Sequence, residues 1–189
     1  MKRGVRALGV AESFHDERST VAGAVVRADR VVDGFAFDTC AVGGTDATET
    51  VRSLVDDLDR ADVRYVFLAG IAPAWFNFFD LPRLREHVDR PVVSVSFEES
   101  AGLEPALRKA FDGRALASRL AVYRRQPERR PVSVGAETVY VRAVGIGGEE
   151  AAEVVRAFTP EGGRPEPLRV ARLAARAADD RSVADGSDR

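Results

Sequence analysis

Cysteine is nearly absent from this 189-residue chain: Cys40 is the only one. An internal disulfide and a cysteine-based zinc site are therefore excluded. In DGFAFDTCAV the thiol falls in an alternating strand pattern and reads as a buried structural group. Histidine is almost as scarce. His15 and His87 stand alone, with no second ligand at metal spacing, and read as surface residues. Lysine is limited to Lys2 and Lys109, so arginine supplies the rest of the positive charge. That skew fits either codon usage in a GC-rich genome or adaptation to salt. In both cases arginine suits planar, two-pronged phosphate contacts. No apolar run approaches the ~18 to 20 residues that span a bilayer, so no membrane partner is expected. The start, MKRGVRALGV, carries no long apolar segment and no secretory cleavage pattern, which points to a cytoplasmic protein. Phosphate-binding G-x-x-x-x-G-K-[ST] and nucleophile-elbow G-x-S-x-G patterns are missing. Gly145-Ile146-Gly147-Gly148 lacks dinucleotide-binding spacing and reads as a turn. The net charge of −2 gives no global basic signature.

What is present is an ordinary globular balance, 45% hydrophobic and 31% charged. The segment VRALGV is apolar enough for a central strand, with Glu12 placed just past its end. TVAGAVVRAD and RVVDGFAFDTCAV follow as strands joined by a turn at Ala28-Asp29-Arg30. Gly43-Gly44 breaks the pattern. Thr45 is placed to cap a helix running to about Arg60, with Ala47, Val51, Leu54, Val55 and Leu58 on one stripe. VRYVFLAGI is a buried strand, LPRLREHV a short helix and PVVSVSF a second parallel strand. A helix covers about Leu103 to Phe111. Residues from Arg114 to Pro131 look irregular. GAETVYVRAV is a late strand, and two helices follow in GGEEAAEVVRAF and PEPLRVARLAARAA. The polar end lacks periodicity. The expected organisation is one domain over 1–178 and an unstructured tail over 179–189.

Three antiparallel strands followed by parallel β-α units make an α/β fold. Its mixed sheet, with helices on both faces, follows the order of the ribonuclease H-like fold, one of several α/β orders compatible with these elements. Ligands of such sheets gather at the carboxyl ends of the parallel strands. Glu12, Asp46 and Glu49 fall near that edge. Carboxylates there suit Mg²⁺, a hard ion that seeks oxygen, although each also reads as a cap or a solvated loop charge. In APAWFNFFD, Trp75 and Phe76 could stack on an unstacked base, whereas Phe78 and Phe79 read as core anchors. Two arginine sets could meet phosphate. One is Arg124, Arg125, Arg129 and Arg130 in YRRQPERRP. The other is Arg169, Arg172 and Arg176 on one face of the last helix.

Several stretches together carry a resemblance. GVAESF, GTDATE, LAGIAPAWFNFFDL, VGIGGEEA and especially PEPLRVARLAA resemble the archaeal endonuclease dU family, also known as domain of unknown function ninety-nine. That family is similar to endonuclease V, and the resemblance runs from about Arg6 to Ala178. It implies a ribonuclease H-like fold and cleavage of DNA or RNA near deaminated bases, uracil or hypoxanthine, with Mg²⁺ or Mn²⁺. Carried over by position, it makes Glu12, Asp46 and Glu49 metal ligands and Arg172 a catalytic phosphate contact. Trp75, Phe76, Arg169 and Arg176 would bind substrate. The chain departs from the family pattern in three places. Ala11 stands where the family shows an acid beside Glu12, Ala69 where it shows aspartate, and Arg172 where it shows histidine. Arginine cannot act as a general base. A catalytically degenerate nucleic-acid-binding protein on the same fold is therefore an open alternative, and a small-molecule or partner-binding protein is a third.

Overall fold

A computed structural model describes residues 1–186, with side chains through residue 181. Strands β1 (Arg6–His15), β2 (Arg18–Arg27) and β3 (Val32–Ala41) form an antiparallel meander. Helix α1 (Ala47–Leu58) leads to β4 (Val63–Ala69), then the short turn α2 (Pro73–Phe76), α3 (Leu81–Val88) and β5 (Val92–Ser96). Helices α4 (Glu104–Ala110) and α5 (Gly113–Arg124) precede a hairpin of β6 (Arg130–Val134) and β7 (Glu137–Val144). Helices α6 (Gly148–Ala157) and α7 (Glu166–Gly186) complete the described chain. The seven strands run in the order β3-β2-β1-β4-β5-β7-β6. β4 and β5 lie parallel to β1, and β7 lies antiparallel to β5.

Alternation along each strand separates two cores. Leu8, Val10, Val66, Leu68 and Val92 bury one face against Val51, Leu54, Leu84 and Leu107 of α1, α3 and α4. Ala7, Tyr65, Phe67 and Val93 bury the other against Val154 of α6, Phe158 just after it, and Leu168 of α7. This is the mixed, doubly covered α/β sheet that the element order implied.

Four local expectations are corrected. β1 does not stop at Val10. Its parallel pairing with β4 ends at Val10–Leu68, but antiparallel pairing with β2 carries it to His15. Glu12 therefore lies inside an overhanging hairpin, opposite Val21. Thr45 does not cap α1. Asp46 is the cap residue, and it makes no side-chain cap bond. The irregular stretch from Arg114 to Pro131 contains α5 and the start of β6. Its helix escaped notice because only Arg119 and Leu120 are buried along it. Finally, α7 continues over 179–186, within the expected tail; residues 187–189 lie outside the described residues. Asp179 is the reason: it is buried and accepts hydrogen bonds from Ser13 (2.9 Å) and Thr20 (3.5 Å), with His15 Nδ1 at 3.2 Å. These contacts dock the helix on the β1–β2 hairpin.

α7 comes unusually close to the sheet. A Cβ on Gly9 would collide with the Pro167 carbonyl. Beyond Gly9, Ala11, Ala24 and Val26 pack on Val170 and Ala171, with Ala69 against the same cluster. Small residues on both sides make this approach possible.

Candidate nuclease-like site

The carboxyl ends of β1 and β4 meet the loop that opens α1 and the loop that follows β4. Glu12 shares a sheet face with Leu8 and Val10, and its Oε2 accepts a 2.6 Å hydrogen bond from Ser19. Ser19 pairs across the sheet with Cys40. Burial pushes the Cys40 thiol up to about 12, and the Asp46 and Glu12 carboxylates push in the same direction. Both carboxylates thus lie within electrostatic range of one buried thiol.

Asp46 is fixed from a distance. Asn77, fully buried, donates to Asp46 Oδ1 (2.6 Å) and to the Ala41 carbonyl (2.8 Å). Its own Oδ1 accepts from the Ala47 N–H (2.9 Å), one of the donors that a helix start leaves unpaired. Thr48 extends the clamp: its hydroxyl donates to the Phe78 carbonyl and accepts from the Asp80 N–H, both at 3.0 Å. The cap of α1 is thus supplied by residues some thirty positions away.

The same clamp holds a strained turn. Ala74, Trp75 and Phe76 all have left-handed backbones, with φ of 44°, 58° and 60°. Non-glycine residues in that region cost of order 1–3 kcal/mol each. The turn persists because its surroundings tie it down. The Gly43 N–H donates to the Ala74 carbonyl (2.7 Å), and the Phe79 N–H donates to the Ile71 carbonyl (2.9 Å). Arg119 completes the support. It is buried, donates to the Gly43 and Gly44 carbonyls, and lies 4.0 Å over the Phe111 ring. Desolvation lowers its pKa. Trp75 is left 61% exposed, whereas Phe76 packs edge-on against Phe111. Phe78 and Phe79 are core residues, as their place in the sequence suggested.

The remaining candidates separate. Glu49 is engaged by Arg52 (2.7 Å) and Arg83 (2.6 Å) rather than turned toward Asp46. Arg169 pairs with Glu166 (2.6 Å). Arg172 and Arg176 instead come within electrostatic range of Arg164, whose guanidinium stacks 4.1 Å over Phe97 just past β5. Burial first, then these two neighbouring charges, lowers the Arg164 pKa. None of the three has an ion-pair partner among the described residues. Of the YRRQPERRP set, Arg124, Arg125 and Arg130 are paired with Glu104, Asp80 and Glu128, and Arg129 stacks on Tyr140. Arg119, Asn77 and Arg164 were missed from the sequence. Only Arg164, one residue before the PEPLR stretch, carried a local hint.

Among the described residues no group of three or more His, Cys, Asp or Glu side chains is placed to hold a metal ion. Glu12 and Asp46 remain as two carboxylates. Ala11 is buried, and both it and Ala69 pack on α7. No helix among the described residues is long and apolar enough to cross a membrane.

The chain is similar in sequence and fold to known proteins. A UPF0215 protein of Pyrobaculum calidifontis is 34% identical over 172 residues, covering 89% of this chain and 93% of the relative. One from Thermococcus gammatolerans is 36% identical over 163 residues, covering 85% and 81%. The crystal structure of an Archaeoglobus fulgidus protein of unknown function matches with a TM-score of 0.81 at 28% identity, covering 92% of this chain and 98% of that one. Human ENDOV matches with a TM-score of 0.63 at 16% identity, covering 95% and 86%, a likeness of fold. The family model described as endonuclease dU matches residues 3–179, so the chain belongs to the endonuclease dU family.

Proposed function

We propose that the protein is a divalent-metal-dependent endonuclease acting on nucleic acid that contains deaminated bases. The observation that carries this reading is the Asn77 clamp. Asn77 holds Asp46 and follows the exposed Trp75 by two residues, and Asp46 and Glu12 both lie within electrostatic range of Cys40. A nuclease of this type needs a phosphate-facing carboxylate and a base-facing aromatic at a fixed separation. Endonuclease V of Ciona intestinalis, crystallised with inosine-containing DNA, shares the fold with a TM-score of 0.61 at 12% identity.

Glu12 and Asp46 would hold Mg²⁺ or Mn²⁺. Two carboxylates fit an ion that keeps several waters and takes further oxygens from a substrate phosphate. When bound, such an ion polarises the phosphate and supplies an activated water. Arg172, with Arg176 and Arg164, would draw the backbone phosphates to the end of β5 and stabilise an anionic oxygen. A guanidinium offers donors and no acceptor, so Arg172 does not serve as the base. Glu49 acts indirectly, through Arg52 and Arg83, and Arg169 through Glu166. Trp75 would stack on the bases, backed by Phe76.

The test is nicking of oligonucleotides that contain one uracil or one hypoxanthine, with Mg²⁺ or Mn²⁺. Glu12→Gln and Asp46→Asn should each lower the rate roughly hundredfold or more, as lost transition-state charge stabilisation does. Trp75→Ala should weaken binding by about 1–3 kcal/mol at unchanged stability. No nicking by the wild type, while a relative with the full acidic set cuts the same substrate, would overturn the reading.

One observation favours the second reading, a non-catalytic nucleic-acid-binding protein. Ala11 is buried and Ala69 half-buried, both packed against α7, and neither side chain can bind a metal. That reading predicts salt-sensitive binding that is indifferent to metal and lost in Arg172→Glu.

A further inference from the structure

Helix α5 buries only Arg119 and Leu120. A spacing of four puts Arg114, Ser118 and Val122 on one of its faces, and Arg125 follows just past its end. These residues line a cavity of about 610 Å³, whose other walls are Phe76, Phe78 and the starts of α1 and α3. That size lies within the ~300–1,000 Å³ range of small-ligand pockets. Neither Glu12 nor Asp46 lines it.

The charge in this wall does not balance. Four arginines line the cavity against one carboxylate, Asp80. Two of the four are neutralised: Arg125 donates to Asp80 Oδ2, at 3.0 Å from Nε, and Arg83 pairs with Glu49 at 2.6 Å. Arg114 is exposed and has no partner among the described residues. Arg119 is 7% exposed. It donates to backbone carbonyls and stacks on Phe111, but its buried Nε has no hydrogen-bond partner and no carboxylate pairs with it among the described residues. A guanidinium drawn out of water without a counter-charge is costly. Arg114 and Arg119 thus leave two positive charges uncompensated on one wall. A phosphate group on a single ester carries roughly −1.5 to −2 at neutral pH, which matches them, whereas a carboxylate carries half as much. Phe76, Phe78 and Val122 supply the apolar part of the wall, and the two rings suit an aromatic neighbour.

We propose that this cavity is a binding site, distinct from the Glu12 and Asp46 edge, for a small phosphomonoester with an aromatic body. The arginines hold the phosphate by charge-assisted hydrogen bonds. The body rests against Phe76 and Phe78. Phe76 belongs to the left-handed turn that carries Trp75, so the occupant touches that turn from behind its exposed ring. The site stands apart from the nuclease reading and does not depend on it.

Equilibrium dialysis of the full protein at neutral pH compares phenyl phosphate, benzoate and inorganic phosphate. Phenyl phosphate should bind roughly tenfold or more tighter than benzoate, which has less charge, and than inorganic phosphate, which lacks the ring. Arg114→Gln, at an exposed residue without an internal partner, should weaken phenyl phosphate roughly tenfold or more. Ser118→Trp, which fills the cavity from an exposed position of α5, should abolish its binding. No saturable uptake of phenyl phosphate, or undiminished affinity in either folded variant, overturns the proposal. Equal affinity for benzoate or inorganic phosphate overturns it too. So does displacement of bound phenyl phosphate by a single-stranded oligonucleotide, which would assign the cavity to a nucleic-acid strand.

Discussion

Asn77 offers the sharpest test of how the site is held. Asn77→Ala removes three hydrogen bonds and leaves the buried Ala47 N–H without an acceptor. A buried donor left unpaired costs about 1–3 kcal/mol, and each of the other two bonds contributes about 1 kcal/mol. The expected loss is roughly 3–5 kcal/mol, read as a shift in urea midpoint at unchanged slope. Asn77→Asp is the more discriminating change. It preserves shape and the acceptor for Ala47, but at neutral pH it turns the donor into an acceptor facing two acceptors, Ala41 O and Asp46 Oδ1. The new carboxyl can restore the donor only when protonated, so its pKa in the folded state must lie above the ordinary ~3.9 of an unfolded aspartate. A raised folded pKa contributes stability that is complete below the unfolded value and lost as pH rises through the folded one. The penalty of Asn77→Asp relative to wild type should therefore be large at pH 7 and shrink toward pH 4. If Asn77→Ala lies within about 0.5 kcal/mol of wild type, or the Asn77→Asp penalty is flat with pH, the clamp is not what fixes Asp46.

Two further outcomes follow from burial. A thiol pushed from 9.0 to about 12 carries about a thousandfold less thiolate at pH 8, so native Cys40 should resist Ellman's reagent until the chain unfolds. Because its folded pKa is raised, wild type should also lose stability between pH 9 and pH 12 relative to Cys40→Ala. Rapid labelling of the native protein would contradict this. Gly9→Ala forces a methyl into the Pro167 carbonyl and should cost at least about 1–3 kcal/mol by overpacking. A thermal melt equal to wild type would show that α7 can retreat freely from β1.

The α7 seam links stability to the site. Gly9 has no room for a side chain against Pro167, and Ala11 and Ala69 pack against the same helix. The same helix carries Arg172 and Arg176 toward Arg164, so its docking through Asp179 sets where that charge lies.

Much of this fold was legible in local pattern. The apolar runs at VRALGV, VRYVFLAGI and PVVSVSF are strands because both of their faces are buried. The stripe Ala47, Val51 and Leu54 is a helix because 3.6-residue spacing puts it on one side. The resemblance fixed the family from motifs spread over most of the chain. The same local patterns hid α5, whose buried face includes an arginine, and the end of β1, whose last residues pair only with β2.

Composition and periodicity by themselves determined a mixed α/β sheet, a lone buried thiol and the approximate carboxyl edge where Glu12 and Asp46 fall. Only the tertiary structure decided that Asn77 caps α1 and orients Asp46, that three left-handed residues leave Trp75 outside while Phe76 turns inward, and that Glu49 faces arginines. It also decided that Arg114 and Arg119 share a cavity with Phe76. The reason is physical. Periodicity reports which side of an element is apolar, whereas a hydrogen-bonded site is made by residues from distant segments whose meeting depends on how every layer packs.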